Sequence, residues 1–446
     1  MSIDVQKQFD KAGEIIKSYP KDTRIRVISH YDADGISAAA IICKALYRAG
    51  YDFHVTLMRN PFDKGLERVS KEENKLIIFC DMGSGQIETI EKIDAKSIII
   101  DHHQVRKEKT SDNVLQINAN MCGINGNYEA CGATLIYGVA KSLNPENSDL
   151  VSLALVGATG DKQYIGGFSG YNKGLVEEAL ENNLIFEKTS MKFTAETLSE
   201  SLYYAIDPYF SGISGNKESI DGMIKKLGIK SDRISDLDSK ELKKLNSFLM
   251  LNLIKKGCEK NILDTVIRTR FTSENIAFEF ERFADLLDSC GKGGNRGIGL
   301  SAAIGDKKAL DNAVELEKKF KQSILDELLR LESEGFEELN SFRYFYSKNS
   351  SMGGVICGIA TNFMLDNKKP LISIVRNKDE IHVSCRGNQH LVKNGLDLGA
   401  AMKEVAKKLD GHGGGHAIAS GATIALSKEK EFLKIVDDLI TKQIKK

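Results

Sequence analysis

The 446-residue sequence contains no tryptophan, only five prolines, and no apolar run long enough to cross a bilayer. The last absence excludes an integral membrane helix, and two or three soluble domains are expected for this length. Scarce proline, with 41% hydrophobic and 28% charged residues, excludes a disordered or fibrous chain and fits helix-rich α/β structure. None of the eight cysteines forms a CxxC pair, and most lie in apolar stretches such as Leu76 to Cys80. A disulfide framework or zinc cage is therefore not expected, and small buried hydrophobes are. Excess charge is missing too: Lys+Arg and Asp+Glu both total 62, so any nucleic-acid contact must be a local stripe. The first residues, MSIDVQKQFD, carry charge where a secretory signal needs an apolar run, so a cytoplasmic protein is expected.

The first 165 residues alternate short β-branched runs with helical patterns. Arg24 to Ser29, Phe53 to Met58, Lys75 to Cys80 and Ser97 to Ile100 read as strands. Ile36 to Ala49 and Gln86 to Ile93 read as crossover helices between them, which implies a parallel sheet of βαβ units. Helices near Ala130 to Ser142 and Asp149 to Thr159 complete this part. From about Leu180 to Glu337 the pattern is helical with polar loops, ending in a long stretch over Leu310 to Glu334, and Tyr346 to Gly354 reads as a hinge. Beyond it, Val355 to Ala360, Leu371 to Val375 and Ile381 to Ser384 read as strands and Leu398 to Leu409 as a helix, which makes a small α+β domain. The expected division is 1–175 for the α/β domain, 176–345 for a helical insertion and connector, and 346–446 for the C-terminal domain.

Chemistry concentrates at the ends of these elements. Ser29-His30-Tyr31-Asp32-Ala33-Asp34-Gly35 follows the first strand and opens a helix, setting one imidazole and two carboxylates on a tight loop. Such donors suit Mn²⁺, Mg²⁺ or a similar ion, and Gly35 admits close backbone approach. An Asp-rich helix cap is the plainer reading, but it needs only one carboxylate. Asp81 and Asp101 end the apolar runs of the third and fourth strands, the edge where parallel sheets bind ligands. Asp101 is followed by His102 and His103, and Gly160-Asp161 ends the apolar helix from Val151. Each Asp alone is equally a turn or cap residue, whereas four clusters at element ends point to one crevice.

HxDxDG, a strand-terminal Asp, DHH and GD, in this order, resemble the four motifs of the DHH phosphoesterase superfamily. That resemblance implies a parallel-sheet catalytic domain with a dinuclear metal site and metal-dependent phosphodiester hydrolysis. His30 and Asp32 would hold one ion, Asp34, His102 and Asp161 the other, and Asp81 would bridge them. His103 would contact phosphate, and Asp101 would orient the imidazoles. The implied cofactors are two divalent ions, Mn²⁺ favoured because histidines contribute, with Mg²⁺ and Co²⁺ as alternatives. Toward the C-terminus, Gly411-His412-Gly413-Gly414-Gly415-His416-Ala417 is too rich in glycine for the interior of a helix or strand and reads on its own as a flexible turn. With Ser384-Cys385-Arg386-Gly387-Asn388 it is similar to the DHH-associated C-terminal domain. By that likeness Arg386, Gly413, Gly414, Gly415 and His416 would contact nucleic-acid phosphates. Read alone, Arg386 is an ordinary solvated arginine.

Phe283-Ala284-Asp285-Leu286-Leu287-Asp288-Ser289-Cys290-Gly291-Lys292 resembles a segment of archaeal RecJ-like single-strand exonucleases, although an amphipathic helix with a glycine cap would read the same. The resemblance implies an exonuclease of single-stranded DNA or RNA in replication or repair. A second enzyme reading keeps the chemistry and shrinks the substrate to short oligoribonucleotides or a cyclic dinucleotide. A third, of another class, is a scaffold among replicative helicase components; the complete set of metal motifs favours an enzyme. Digestion polarity and the choice between DNA and RNA are not written in these motifs.

Overall fold

In the computed structural model of the protein, residues 3–59, 64–348 and 352–444 are described. Part of the hinge read at Tyr346 to Gly354, residues 349–351, lies outside them. The chain forms two compact units: Met1–Ser190 with Thr269–Lys318, and Met191–Arg268 with Lys319–Lys446.

The chain opens with α1 (Val5–Lys17), started by the Asp4 side chain, which accepts from Gln6 N and Lys7 N. It buries Phe9, Ala12, Gly13 and Ile16, the spacing of one helix face. Then come β1 (Ile25–His30), α2 (Ala33–Arg48), β2 (Phe53–Met58), α3 (Lys64–Val69), β3 (Leu76–Cys80), α4 (Ile87–Ile90), β4 (Lys96–Asp101) and β5 (Val114–Asn118). Helices α5 (Gly132–Leu143), α6 (Val151–Gly160) and α7 (Gly170–Glu181) follow. The strands form a parallel sheet in the order β2-β1-β3-β4-β5. Its residues alternate between two buried layers: Val27, Ile78, Ile98 and Ile100 on one face, Ile28, Ile77, Phe79 and Ile99 on the other. A parallel sheet covered on both faces reads as continuous apolar runs, which is why these strands were legible.

After β6 (Phe186–Met191) come α8 (Leu198–Tyr203), α9 (Lys217–Leu227), α10 (Ser239–Lys255) and α11 (Lys260–Val266), all in the second unit. The strand β7 (Ile267–Thr272) pairs with β6, and α12 (Phe280–Lys292) and α13 (Arg296–Ile304) belong to the first unit. Next are α14 (Lys307–Glu334), β8 (Glu337–Glu338), β9 (Arg343–Tyr346), α15 (Gly353–Phe363), β10 (Leu371–Arg376), β11 (Glu380–Arg386), α16 (Gln389–Lys393), α17 (Leu398–Lys408), β12 (His412–Gly415), β13 (Ala419–Ala425) and α18 (Glu429–Ile444). The C-terminal sheet has the order β12-β13-β11-β10-β9-β8. The architecture is thus α/β, a five-stranded parallel sheet and a C-terminal sheet-and-helix domain, as expected.

Three local readings need correction. Val355 to Ala360, expected as a strand, lies in α15, where Ile356, Cys357, Ile359, Ala360 and Phe363 are buried; a short apolar run has no period of its own, and the burial here is helical. The crossover helix expected at Gln86 to Ile93 shrinks to the single turn of α4, which starts where expected but ends at Ile90. The glycine run, expected to avoid a strand interior, forms the edge strand β12. Glycine is needed there because α17 packs backbone to backbone on the strand: a Cβ on Gly413 would lie 2.5 Å from Met402 O.

Candidate metal centre

In the order β2-β1-β3-β4-β5 the chain reverses direction across the sheet between β1 and β3, and the carboxyl ends of such strands are where parallel sheets bind ligands. His30 is the last residue of β1, and Asp32 caps α2, accepting from Gly35 N at 3.1 Å. Asp34 lies in the first turn of α2, Asp81 follows β3, Asp101 ends β4, and Asp161 caps the C-terminus of α6. Topology therefore brings these groups to one rim. Two glycines permit the approach: a Cβ on Gly35 would sit 2.5 Å from the His30 backbone carbon, and one on Gly132 would sit 2.4 Å from Asp81 Cβ. Asp81 itself has φ 56°, a left-handed conformation that aspartate tolerates better than most residues.

Asp81 occupies the middle. Its Oδ2 lies 3.5 Å from His30 Nδ1, and its Oδ1 lies 3.2 Å from His102 Nε2. His30 Nδ1 is also 2.8 Å from Asp32 Oδ2, and His102 Nε2 is 3.4 Å from Asp161 Oδ2 and 3.7 Å from Asp34 Oδ2. Among the described residues, three sets of side chains could each hold an ion, with donor atoms within 4.8 Å of one another: His30, Asp32 and Asp81; Asp34, His102 and Asp161; and Asp81, His102 and His103. The two oxygens of Asp81 thus face different groups of donors.

The tautomer of His102 sharpens the fit to a cation. Its Nδ1 is 2.6 Å from Gly126 O, a carbonyl that can only accept, so Nδ1 carries the proton and Nε2 turns toward three carboxylates. Nε2 can meet them only through positive charge, either a second proton on the ring or a metal ion. His30 Nδ1 and Asp81 Oδ1 are buried and, despite their short distances to charged neighbours, lack a hydrogen bond of acceptable angle. A metal ion would satisfy both atoms, and the donors are the hard oxygens and imidazoles that Mn²⁺ or Mg²⁺ accept.

Electrostatics agree. Burial alone would lower the His30 imidazole, but Asp32 and Asp81 outweigh it and push it up to about 11. His102 is likewise raised, burial being overcome by Asp81, Asp161 and Asp34. Asp34 is raised well above the carboxylate range by burial and by the charges of Asp81 and Asp161, and Asp161 is pushed up to about 7, chiefly by burial. Asp81 is depressed although buried, because the raised imidazoles of His102 and His30 stand close to it, with His103 adding positive charge. These carboxylates share too little positive charge among the imidazoles, which protons relieve in part and divalent ions would relieve fully.

Other groups hold the donors. Asp34 accepts from Gly132 N (2.7 Å) and Ala133 N (2.8 Å), the positive first turn of α5. Asp101 joins none of the three sets: its Oδ1 accepts from His102 N, His103 N and the His103 ring, and its Oδ2 accepts from Ser84 N. His103 keeps a half-exposed ring, its Nδ1 2.8 Å from Asp101. Asn118 and Asn120 donate to the carbonyls of His103 and His102, and Gln163 to Gly126 O. Sequence reasoning missed these amides, whose only signal is their place at or just past the ends of β5 and α6. It also gave no role to the α12 carboxylate Asp288, which accepts from Ala33 N at 2.9 Å and pairs with Lys292. That pair anchors the start of α2 and sets an ammonium near Asp32 and Tyr31.

The C-terminal candidates gather in the second unit. Arg386 ends β11 opposite Ala419 of β13, and Gly415 of β12 pairs with Ser420 of the same strand. His416 N donates to Ala419 O, so Arg386 and His416 flank one end of β13. The Arg386 guanidinium lies at the start of α15, where a Cβ on Gly354 would be 3.0 Å from Nη2.

Residues 24–158 match the DHH family, N-terminal domain, and residues 341–442 match the DHHA1 domain. The chain is similar to an uncharacterized protein of Methanocaldococcus jannaschii, 31% identical over 429 residues that cover 95% of this chain and 94% of that one. In fold it is similar to RecJ of Thermus thermophilus crystallised with Mn²⁺, at 15% identity and TM-score 0.62, over 98% of this chain. The match covers 55% of the Thermus chain. It is also similar to CDC45 from Entamoeba histolytica, at 14% identity and TM-score 0.65, over 99% of this chain and 100% of that one. At these identities the structural likeness concerns the fold.

Proposed function

The chain belongs to the DHH family, and from that premise we propose that it is a metal-dependent phosphodiesterase acting as a single-strand-specific exonuclease on DNA or RNA, in replication or repair. The observation that carries the reading is Asp81, whose two oxygens face separate donor sets across buried atoms that lack hydrogen-bond partners. In this reading His30 and Asp32 hold one ion, Asp34, His102 and Asp161 a second, and Asp81 both. When bound, two divalent ions polarise the phosphoryl oxygens and make an attacking water more acidic. Mn²⁺ is favoured, with Mg²⁺ and Co²⁺ as alternatives, because imidazoles share the site with carboxylates. Crystals of the Thermus RecJ with Mn²⁺ and with Mg²⁺ support that choice of ion class.

The chain's own groups supply the rest. Asp101 fixes the His103 ring, and His103 donates a hydrogen bond to the phosphoryl oxygen on which charge builds. Asp34 is kept in place by the α5 amides, so its orientation costs nothing at the moment of reaction. Arg386, Gly413, Gly414, Gly415 and His416 hold a phosphate of the strand. We assign 1–175 to catalysis, 176–345 to an insertion and connector, and 346–446 to substrate binding. Replicative helicase components are the proposed protein partners.

Digestion of end-labelled single-stranded DNA and RNA of graded length, with each metal in turn, tests the proposal. Stepwise release of mononucleotides from long strands in Mn²⁺, abolished by EDTA, is expected. Efficient cleavage of dimers with long strands left intact would overturn the exonuclease reading, and unchanged turnover in Asp81→Ala would overturn the two-ion chemistry.

A further inference from the structure

The helix α10 buries Leu245, Leu249 and Leu253 completely in the core of the second unit. Its opposite face should be polar. Instead, Leu251 is 55% and Ile254 52% exposed, three residues apart and therefore side by side. Two aliphatic side chains thus stand in water on the outside of a helix whose inside already has a core, an exception to the polar outer face of an amphipathic helix. This helix lies outside both segments that match family domains, 24–158 and 341–442.

Charge accompanies the apolar pair. At 100° per residue, Lys240, Lys243, Lys244, Ser247 and Lys255 fall on the same outer face, and all five are exposed. Lys244 donates to Leu227 O at 3.2 Å, but Lys240, Lys243 and Lys255 form no ion pair among the described residues. The face is thus an apolar step bordered by exposed ammonium groups.

We propose that the outer face of α10 docks an acidic amphipathic segment of another protein, whose apolar stripe covers Leu251 and Ile254 and whose carboxylates meet the lysines. Charge complementarity selects this occupant. A second copy of the chain pairing through the same face would set lysine against lysine. Nucleic acid would use the lysines but leave the aliphatic pair in water. A membrane surface would need a helix free to sink its apolar face, and the larger apolar face of α10 is already committed to the core.

A photo-reactive phenylalanine analogue in place of Ser247, in the full-length protein expressed in its own cells, tests the proposal. The expected product is a crosslink to a peptide of a different protein with apolar residues at helical spacing flanked by Asp or Glu. A synthetic copy of that peptide should bind the purified wild-type chain and bind Leu251→Glu at least about tenfold more weakly. Because Leu251 is exposed, the variant should keep its melting temperature and its metal-dependent activity. The proposal is overturned by crosslinks confined to a second copy, to lipid or to nucleic acid, by no crosslink above the unirradiated control, or by equal binding of the peptide to Leu251→Glu.

Discussion

Replacing Asp81 by Asn keeps the shape of the side chain and removes the charge that both donor sets share. The two oxygens lie 3.5 Å from His30 Nδ1 and 3.2 Å from His102 Nε2, so a cation held between either pair would lie closer than that, and a separation of about 3.3 Å gives a lower bound on the attraction. At an effective dielectric constant near 20, opposite unit charges about 3.3 Å apart attract by roughly 5 kcal/mol. Losing that attraction in the reacting complex corresponds to a rate loss of about 10³ to 10⁴. Removing groups that only orient metal ligands costs about 10 to 100-fold in affinity, so the loss of a shared ligand should exceed about 100-fold. Calorimetric titration with MnCl₂ gives the affinity, and mononucleotide release at saturating Mn²⁺ gives the turnover. The fold should survive, because an Asn amide still fits between the imidazoles, which can shed their protons. Affinity within about threefold and turnover within about tenfold of wild type would refute the shared-carboxylate reasoning.

Three further outcomes follow from the same geometry. His30, pushed up to about 11, and His102, also raised, hold protons in the metal-free protein near neutral pH. Those protons stabilise the metal-free fold at low pH and are lost as pH rises through the raised values, so ions compete with them. The logarithm of Mn²⁺ affinity should climb with pH at a slope of at least about 2 between about pH 6 and 8, because the raised Asp34 and Asp161 carboxyls release protons as well, and a flat titration profile would count against imidazole ligation. Asp161, raised to about 7 mainly by burial, is ionised at a cost above its unfolded value, and its side chain is 25% exposed. Asp161→Asn should therefore raise metal-free stability by about 1–2 kcal/mol at pH 8, seen as a higher melting temperature, while weakening Mn²⁺ binding. A lower metal-free melting temperature would contradict the burial cost assigned to Asp161. Asp101→Asn should lower activity about 10 to 100-fold while leaving the number of bound Mn²⁺ ions unchanged, since Asp101 touches donors only through His102 and His103. Loss of an ion in that variant, measured by metal analysis, would make Asp101 a ligand.

What the sequence made legible was set by burial. The strands β1, β3 and β4 are buried on both faces and so read as apolar runs with an Asp or His at their carboxyl ends, which pointed to the rim where the donors meet. The strand β5 escaped because Gln116 and Asn118 interrupt its apolar run, and both amides donate to Ser84 beside Asp101. Tertiary context also hid β12, since only the packing of α17 shows why its glycines are needed. Asp288 was hidden by distance: it contacts Ala33 across 255 residues, and the likeness noted for its segment, Phe283 to Lys292, names no partner for it. Local pattern shows what kind of donor stands at an element's end, whereas the neighbours that orient it belong to topology.

The central claim is that two ions lie on either side of Asp81. Anomalous diffraction at the manganese edge, from crystals soaked in MnCl₂, measures this directly. The account requires two peaks about 3.5–4 Å apart, one beside His30 and Asp32 and the other beside Asp34, His102 and Asp161, with Asp81 touching both. A single peak, peaks remote from Asp81, or none would contradict it.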